Sequence, residues 1–286
     1  MKKKVLEKGM EILFLITACA SIVAVLLICV FMFAGGLPAF GKIGVLNFLG
    51  GEKWAPMDVP PSYGILPMIV GSLYVTAGAI LIGVPIGLLT AIFMARFCPR
   101  GLYRFLKPAL ELLAGIPSIV YGFFGMVVLV PFVRGTFGGT GNSILTASIL
   151  LGIMILPTII GISESALRAV PEEIYEGALA LGATHERSVV FTVLPAAKSG
   201  LLAGVILGIG RAIGETMAVI LVVGNNARIP DSLLKGVRTL TGNIVLEMGY
   251  ATGLHREALI ATGVVLFVFI LLLNLCFSVL NRKKKT

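Results

Sequence analysis

Six stretches of this 286-residue chain are long and apolar enough to cross a bilayer: 12–33, 66–95, 112–133, 144–163, 201–223 and 258–280. A spanning helix needs roughly twenty such residues. Within hydrocarbon only the chain itself can satisfy its backbone N–H and C=O groups, so stretches of this kind fold as α-helices. That constraint sets the class. The chain is expected to be an all-α, polytopic membrane protein with six transmembrane helices in one membrane domain, 1–286. Composition agrees, with 57% hydrophobic and 13% charged residues, where a soluble domain carries about 25% charged. The second stretch is long and holds Pro85, which predicts tilt or a kink.

An even number of crossings puts both termini on one side. Fifteen of the 23 Lys and Arg residues fall on that side, including Lys2–Lys4, Arg96–Lys107 and Arg282–Lys285; seven fall on the other, and Arg211 lies within a crossing. The side richer in Lys and Arg is cytoplasmic, so both termini are expected there. The Lys-rich start, with Ala18-Cys19-Ala20 before Ser21, has the outline of a signal peptide. The apolar run continues to Phe33, longer than a typical signal core, so an uncleaved first crossing is expected. The net charge of +9 comes from short clusters beside apolar runs. This is membrane orientation and not nucleic-acid binding.

Chemistry is sparse. Cys19, Cys29, Cys98 and Cys276 imply no disulfide framework. His185 and His255 fall on opposite sides and cannot share a metal. HExxH, paired CxxC and GxSxG patterns are absent, and nothing reads as a phosphate-binding GxxxxGK[ST] loop. No catalytic residue and no metal ligand is expected, and no nucleotide site in this chain.

The outer loops are 34–65 and 224–257. The first carries GEKWAPMDVPPSYGILP with the sole tryptophan. It reads either as an interfacial anchor, with Trp54 and Tyr63 at the headgroups, or as a docking surface. The longest inner loop, 166–199, spells a helix–turn–helix. Pro171 suits the first helical position and Glu172 and Glu173 the first turn. Gly182 is placed to end that helix in the left-handed conformation, Thr184 to cap the next, and Pro195 to mark the start of the fifth crossing. Ile174, Leu179, Leu181, Val189 and Phe191 need a cover, either the rest of the chain or a partner.

The fifth stretch reads GIGRAIGETMAV at 208–219. Two ionised groups at a helix centre cost about 2.5 to 3.5 kcal/mol each on insertion. At about 100° per residue, Gly204, Gly208, Arg211 and Glu215 fall within about 60° of one another on one face. The glycines have the spacing that lets helices approach closely. That face is either packed on a neighbour or lines a narrow passage. One reading is a buried Arg–Glu pair that locks helices. The other is a pathway, since intramembrane ionisable groups mark substrate routes and arginine's fork of donors matches a tetrahedral oxyanion. Glu215 would then hold Arg211 at rest, or accept a proton-bearing oxygen of hydrogen phosphate. In the third stretch Pro117 loosens the helix, and Ser118 and Tyr121 are placed to satisfy freed backbone groups.

Glu176, Ala178, Gly182, Leu194 and Pro195 fit the pattern E-A-A-x3-G-x9-I-x-L-P. That pattern resembles the coupling loop of the binding-protein-dependent ABC importer permeases, with Gly177 and Thr192 departing from it. GRAIGETMAV followed by VVGN, LAGIPSIVYGFFG at 113–125, YGILPMIVGSLYVT at 63–76 and ILPT at 155–158 are similar to the phosphate permeases of that family, more to the PstC-type subunit than to its PstA-type partner. The resemblance implies a type I ABC importer permease in the bacterial or archaeal cytoplasmic membrane. It also implies a PstA-type second permease subunit, a dimeric cytoplasmic ATPase holding ATP and Mg, an extracytoplasmic phosphate-binding protein and surrounding lipid. Arg211 and Glu215 carry the pathway role by that resemblance, and the five loop residues couple to the ATPase. The alternatives are a permease for molybdate or sulfate, or a non-transport membrane subunit whose Arg–Glu pair is structural.

Overall fold

A computed structural model describes residues 2–282, with side chains described for 7–275. Expectations for Cys276 and for Lys283–Lys285 lie outside these. Five helices are long and apolar enough to cross a membrane among the described residues: α1 (Lys2–Ile43), α3 (Leu66–Phe97), α5 (Ser118–Phe137), α6 (Ile144–Arg168) and α12 (Gly253–Arg282). Between α1 and α3 lie the short α2 (Val45–Gly50) and a two-stranded antiparallel ribbon, β1 (Trp54–Ala55) with β2 (Ser62–Tyr63), in which Trp54 pairs with Tyr63. The expected fifth crossing, 201–223, is broken: α9 (Lys198–Gly214) is followed by α10 (Met217–Val222), and α9 passes as a sixth crossing only together with the helix before it, from which it is bent by 71°. At the end that the Lys and Arg pattern assigns to the cytoplasm, called inner below, are α4 (Arg100–Gly115), α7 (Glu172–Ala180) and α8 (His185–Ala196); at the opposite end, called outer, is α11 (Leu240–Glu247).

Two of the expected stretches are not single helices. The run 112–133 divides at Ile116–Pro117, where both residues are extended. Proline has no N–H for the ladder and pushes the residue before it out of the α region. Leu112–Gly115 therefore finish α4, and the crossing is Ser118–Phe137. The run 201–223 divides at Glu215–Thr216: Glu215 is extended (φ −69°, ψ 131°) and Thr216 is non-helical. In the first stretch the helix is longer than 12–33, because Gly35, Gly36 and Pro38 do not end it.

The centre of the molecule is α6, the most buried of the crossing helices. Ile144, Ala147, Leu150, Leu151, Ile155 and Ile159 form its contribution to one core, with Val75 and Ala79 of α3 and Ala218, Val219 and Val222 of α10. At the outer end a second core gathers Phe48, Trp54, Tyr63, Ile65, Leu240 and Leu259. Trp54 is buried, and its Nε1 donates to Glu247 Oε2 at 2.9 Å. The interfacial-anchor reading of Trp54 is thus corrected: the indole closes a protein core. By contrast, none of the apolar window of α1 is covered by the rest of the chain.

Candidate functional site

The break in the fifth crossing sets the site. α9 lies against α6 through Gly204 and Gly208. A Cβ at Gly204 would fall 2.9 Å from Ser163 Oγ, and one at Gly208 would fall 2.7 Å from Ile159 Cγ1. The glycine face is therefore packed on a neighbour, while Gly210 and Gly214 on the flank face open space. Arg211 lies in the last turn of α9, at the upper end of this packed seam.

The helix ends three residues later, so Arg211 and Glu215 do not share a helical face, and no ion pair joins them among the described residues. This corrects the expectation that the two share one helical face, and of the two readings of that face it does not support the locked Arg–Glu pair. Arg211 Nη1 donates to Thr158 Oγ1 of α6 at 3.2 Å. Glu215 Oε1 accepts from the Ala218 backbone N–H at 3.2 Å, inside the first turn of α10. Thr241 Oγ1 donates to the Glu215 carbonyl and Thr216 Oγ1 to the Gly214 carbonyl, so hydroxyls satisfy backbone groups at the break.

Each charge thus sits where a helix terminus favours it. A cation belongs at the C-terminal end of α9 and an anion at the N-terminal end of α10. Such placement contributes about 0.3 to 1 kcal/mol, and up to about 2 when partly buried. The insertion cost of about 2.5 to 3.5 kcal/mol per ionised group is larger. Helix termini alone do not account for keeping both groups. Arg211 is half-buried with a single hydroxyl partner among the described residues, which leaves most of its donors free for a visiting acceptor.

The neighbouring crossing is broken at its own inner end. Tyr121 Oη donates to the Leu113 carbonyl at 2.8 Å across the Ile116–Pro117 break, as its position in the sequence suggested. Beyond it α5 rests on α10, with Gly122 so close that a Cβ would lie 2.8 Å from Ala218 Cα.

The inner helix–turn–helix forms as its local signals indicate. Gly182 is left-handed (φ 85°); its N–H donates to Leu179 and the Ala183 N–H to Ala178, the paired closure that glycine permits. Thr184 Oγ1 accepts from Arg187 N. Pro171 caps α7 rather than opening it, and α8 meets α9 at a 71° bend. Glu176, Gly182 and Pro195 are exposed and Ala178 and Leu194 half-buried. Val189 is buried by the rest of the chain, whereas Leu181 is 91% and Phe191 72% exposed, so part of the loop's apolar surface is left uncovered.

Two charged clusters escaped the sequence reading. On the inner side Glu164 of α6, buried, accepts from Tyr103 Oη (2.8 Å), Lys107 Nζ (2.7 Å) and Arg168 Nε (2.5 Å). Hydrogen bonding to Glu164 pushes the Lys107 ammonium above the ordinary lysine range. On the outer side buried Glu247 accepts from Trp54 and Arg238 and pairs with His255 Nε2 at 2.9 Å. Thr158 was also missed, although it stands in the ILPT stretch. A hydroxyl just after a proline inside an apolar run was the available signal. For Glu164 it was the Glu-before-Arg spacing of four residues.

Comparison with known proteins places the chain. Residues 83–286 match the family of binding-protein-dependent transport system inner membrane components. The probable ABC transporter permease protein YqgH of Bacillus subtilis is 41% identical, covering 95% of this chain and 90% of that protein. The phosphate transport system permease protein PstC of Mesorhizobium japonicum is 39% identical, covering 90% and 84%. Among solved structures, an inward-facing MetNI methionine ABC transporter superposes with a TM-score of 0.62 at 22% identity, covering 77% of this chain and 95% of that one. A bacterial alginate ABC transporter also gives 0.62, at 16% identity, covering 94% and 96%. The fold is that of type I ABC importer permeases. This chain belongs to the family of binding-protein-dependent transport system inner membrane components, multi-pass proteins of the cytoplasmic membrane.

Proposed function

We propose that the chain is a permease subunit of an ATP-driven inorganic phosphate importer, with Arg211 as the anion-contacting group of its pathway. The observation that carries this reading is the broken fifth crossing, which holds a half-buried guanidinium with, among the described residues, one hydroxyl partner and no carboxylate against it. The phosphate assignment is supported by 39% identity to a phosphate permease over nearly the whole chain. Glu215 acts at the same break, where it caps α10, and faces the pathway from there.

The exposed apolar residues of the inner loop favour a cytoplasmic ATPase as their cover, with Glu176, Ala178, Gly182, Leu194 and Pro195 shaping the contact. ATP and Mg belong to that partner. A second permease completes the pathway, an extracytoplasmic binding protein delivers phosphate, and both termini are cytoplasmic. ATP binding closes the ATPase dimer, the loop moves, and the crossings around α9 and α10 rock between two openings.

The test is uptake by proteoliposomes holding the full complex, loaded binding protein outside and ATP inside. Phosphate accumulation that molybdate and sulfate do not displace supports the reading. Accumulation of another oxyanion in preference to phosphate overturns the substrate, and uptake unaffected by Arg211→Ala overturns the site.

A further inference from the structure

The pathway break and the partner-facing loop lie at different depths, and a chain of named contacts joins them. Glu172 of α7 accepts from Arg96 Nη1 at 3.0 Å, and Arg96 Nη2 donates to the Leu167 carbonyl at 3.1 Å. The Arg96 guanidinium also lies over the Tyr175 ring, and Tyr175 Oη meets His185 Nδ1 at 2.7 Å. Both halves of the loop are thereby tied to the inner ends of α3 and α6. One turn further into α6 sits Glu164.

On its other side Glu164 holds α4. That helix buries none of its residues fully, and Leu102, Phe105, Leu112 and Leu113 are exposed. Its apolar grip on the protein is limited to half-buried Tyr103, Leu106 and Leu110. Two side-chain hydrogen bonds reach out from α4, from Tyr103 and Lys107, and both end on Glu164. The Arg168 guanidinium, bonded to the same carboxylate, lies 4.5 Å over the Tyr103 ring and donates to the Met94 carbonyl. From α4 the chain passes the Pro117 break, is stitched by Tyr121, and continues as α5, which rests on α10 beside Glu215.

We propose that Glu164 is a positioning residue for energy coupling: it pins α4 to α6 so that displacement of the α7–α8 loop reaches α5 and α10 at the pathway break. The inference rests on the ATP-driven transport reading. An apolar contact would hold α4 as strongly but let it slide, since buried ionic groups are often replaceable by packed apolar ones at no loss of stability. A carboxylate with three donors in different directions fixes register. Spatial continuity alone is not coupling, so the decisive quantity is work transmitted.

The experiment measures phosphate taken up per ATP hydrolysed by the full complex in proteoliposomes, for wild type, Glu164→Gln, Lys107→Met and Tyr103→Phe. Expected is an assembled Glu164→Gln complex with basal hydrolysis retained and uptake per ATP lowered about tenfold, the scale of one charge-assisted hydrogen bond. Lys107→Met and Tyr103→Phe are expected to lower it by smaller factors. They decide the matter if Glu164→Gln does not assemble, because each keeps the carboxylate with two donors. Uptake per ATP at the wild-type level in the assembled variants overturns the proposal. A wild-type chain that purifies without any ATPase overturns the transport reading and this inference with it. Wild-type coupled uptake beside unchanged variants overturns this inference alone.

Discussion

Glu247 and Arg211 both place an ionised group within apolar surroundings, and they differ in how completely it is satisfied. Glu247, at the outer end, is buried and collects Trp54, Arg238 and His255 from three segments of the chain. Arg211, at the break, is half-buried and bonded to one hydroxyl at 3.2 Å. The first arrangement leaves little capacity for anything else and serves to hold β1, α11 and α12 together. The second leaves donors unused at the end of a helix. On the proposed pathway reading, saturation of a charge by its own chain separates a structural group from one kept for a passing solute.

The widest separation is expected between variants of these two residues. Arg211→Ala should abolish phosphate uptake, at least about a hundredfold as for other intramembrane charges aimed at a substrate, with the melting temperature of the complex little changed. Glu247→Ala should do the reverse. Removing the carboxylate leaves the buried Trp54 N–H and the buried His255 ring nitrogen without their partner, at about 1 to 3 kcal/mol each, read as a large drop in thermal stability in detergent, while any complex that survives still transports. If both variants lose stability and uptake in parallel, the contrast fails.

Next in size is Gly182. A left-handed backbone at φ 85° costs a β-branched residue about 1 to 2 kcal/mol, so Gly182→Val should loosen the inner loop and weaken co-purification of the ATPase. Retained co-purification would show that the turn is not part of the contact. Smaller again is Thr158→Val, which removes the one partner of Arg211 at about 1.5 to 3 kcal/mol for a hydrogen bond to a charge. It should change the KM for phosphate without preventing assembly. An unchanged KM would mean that the guanidinium reaches the solute independently of that hydroxyl. The smallest effect concerns pH. The Lys107 pKa is raised by Glu164, so its contribution is complete below the ordinary lysine range and is lost as pH rises through the elevated value. Stability should therefore respond to the Lys107→Met change at neutral pH and not in strongly alkaline solution.

The broad fold was legible because apolar length dictates helix in a membrane, and the loop was legible because Pro171, Gly182 and Thr184 act through their own backbone. The breaks were less so. Pro117 marked the place of a weakness but not that it ends one helix and starts another, since the apolar run continues unbroken on either side. At Glu215 no proline marks the interruption, and its backbone groups are satisfied both locally, by Thr216 on the Gly214 carbonyl, and by Thr241 reaching the Glu215 carbonyl from a distant segment. A helical wheel presumes continuity, so it set Arg211 beside Glu215 when the break had separated them. Thr158 and Glu164 carry only weak local signals, because their importance comes from partners 53 and 61 positions away.

The account stands on Arg211 facing the solute. Its most direct test is Gly214→Cys, three residues from Arg211 and facing open space, with Cys19, Cys29, Cys98 and Cys276 replaced and Arg211 kept, in the assembled complex. A membrane-impermeant, charged thiol reagent is applied with and without nucleotide and loaded binding protein. The account predicts labelling that depends on nucleotide state and is slowed by phosphate. A thiol that stays unlabelled in every state, or is labelled equally with and without phosphate, would contradict it.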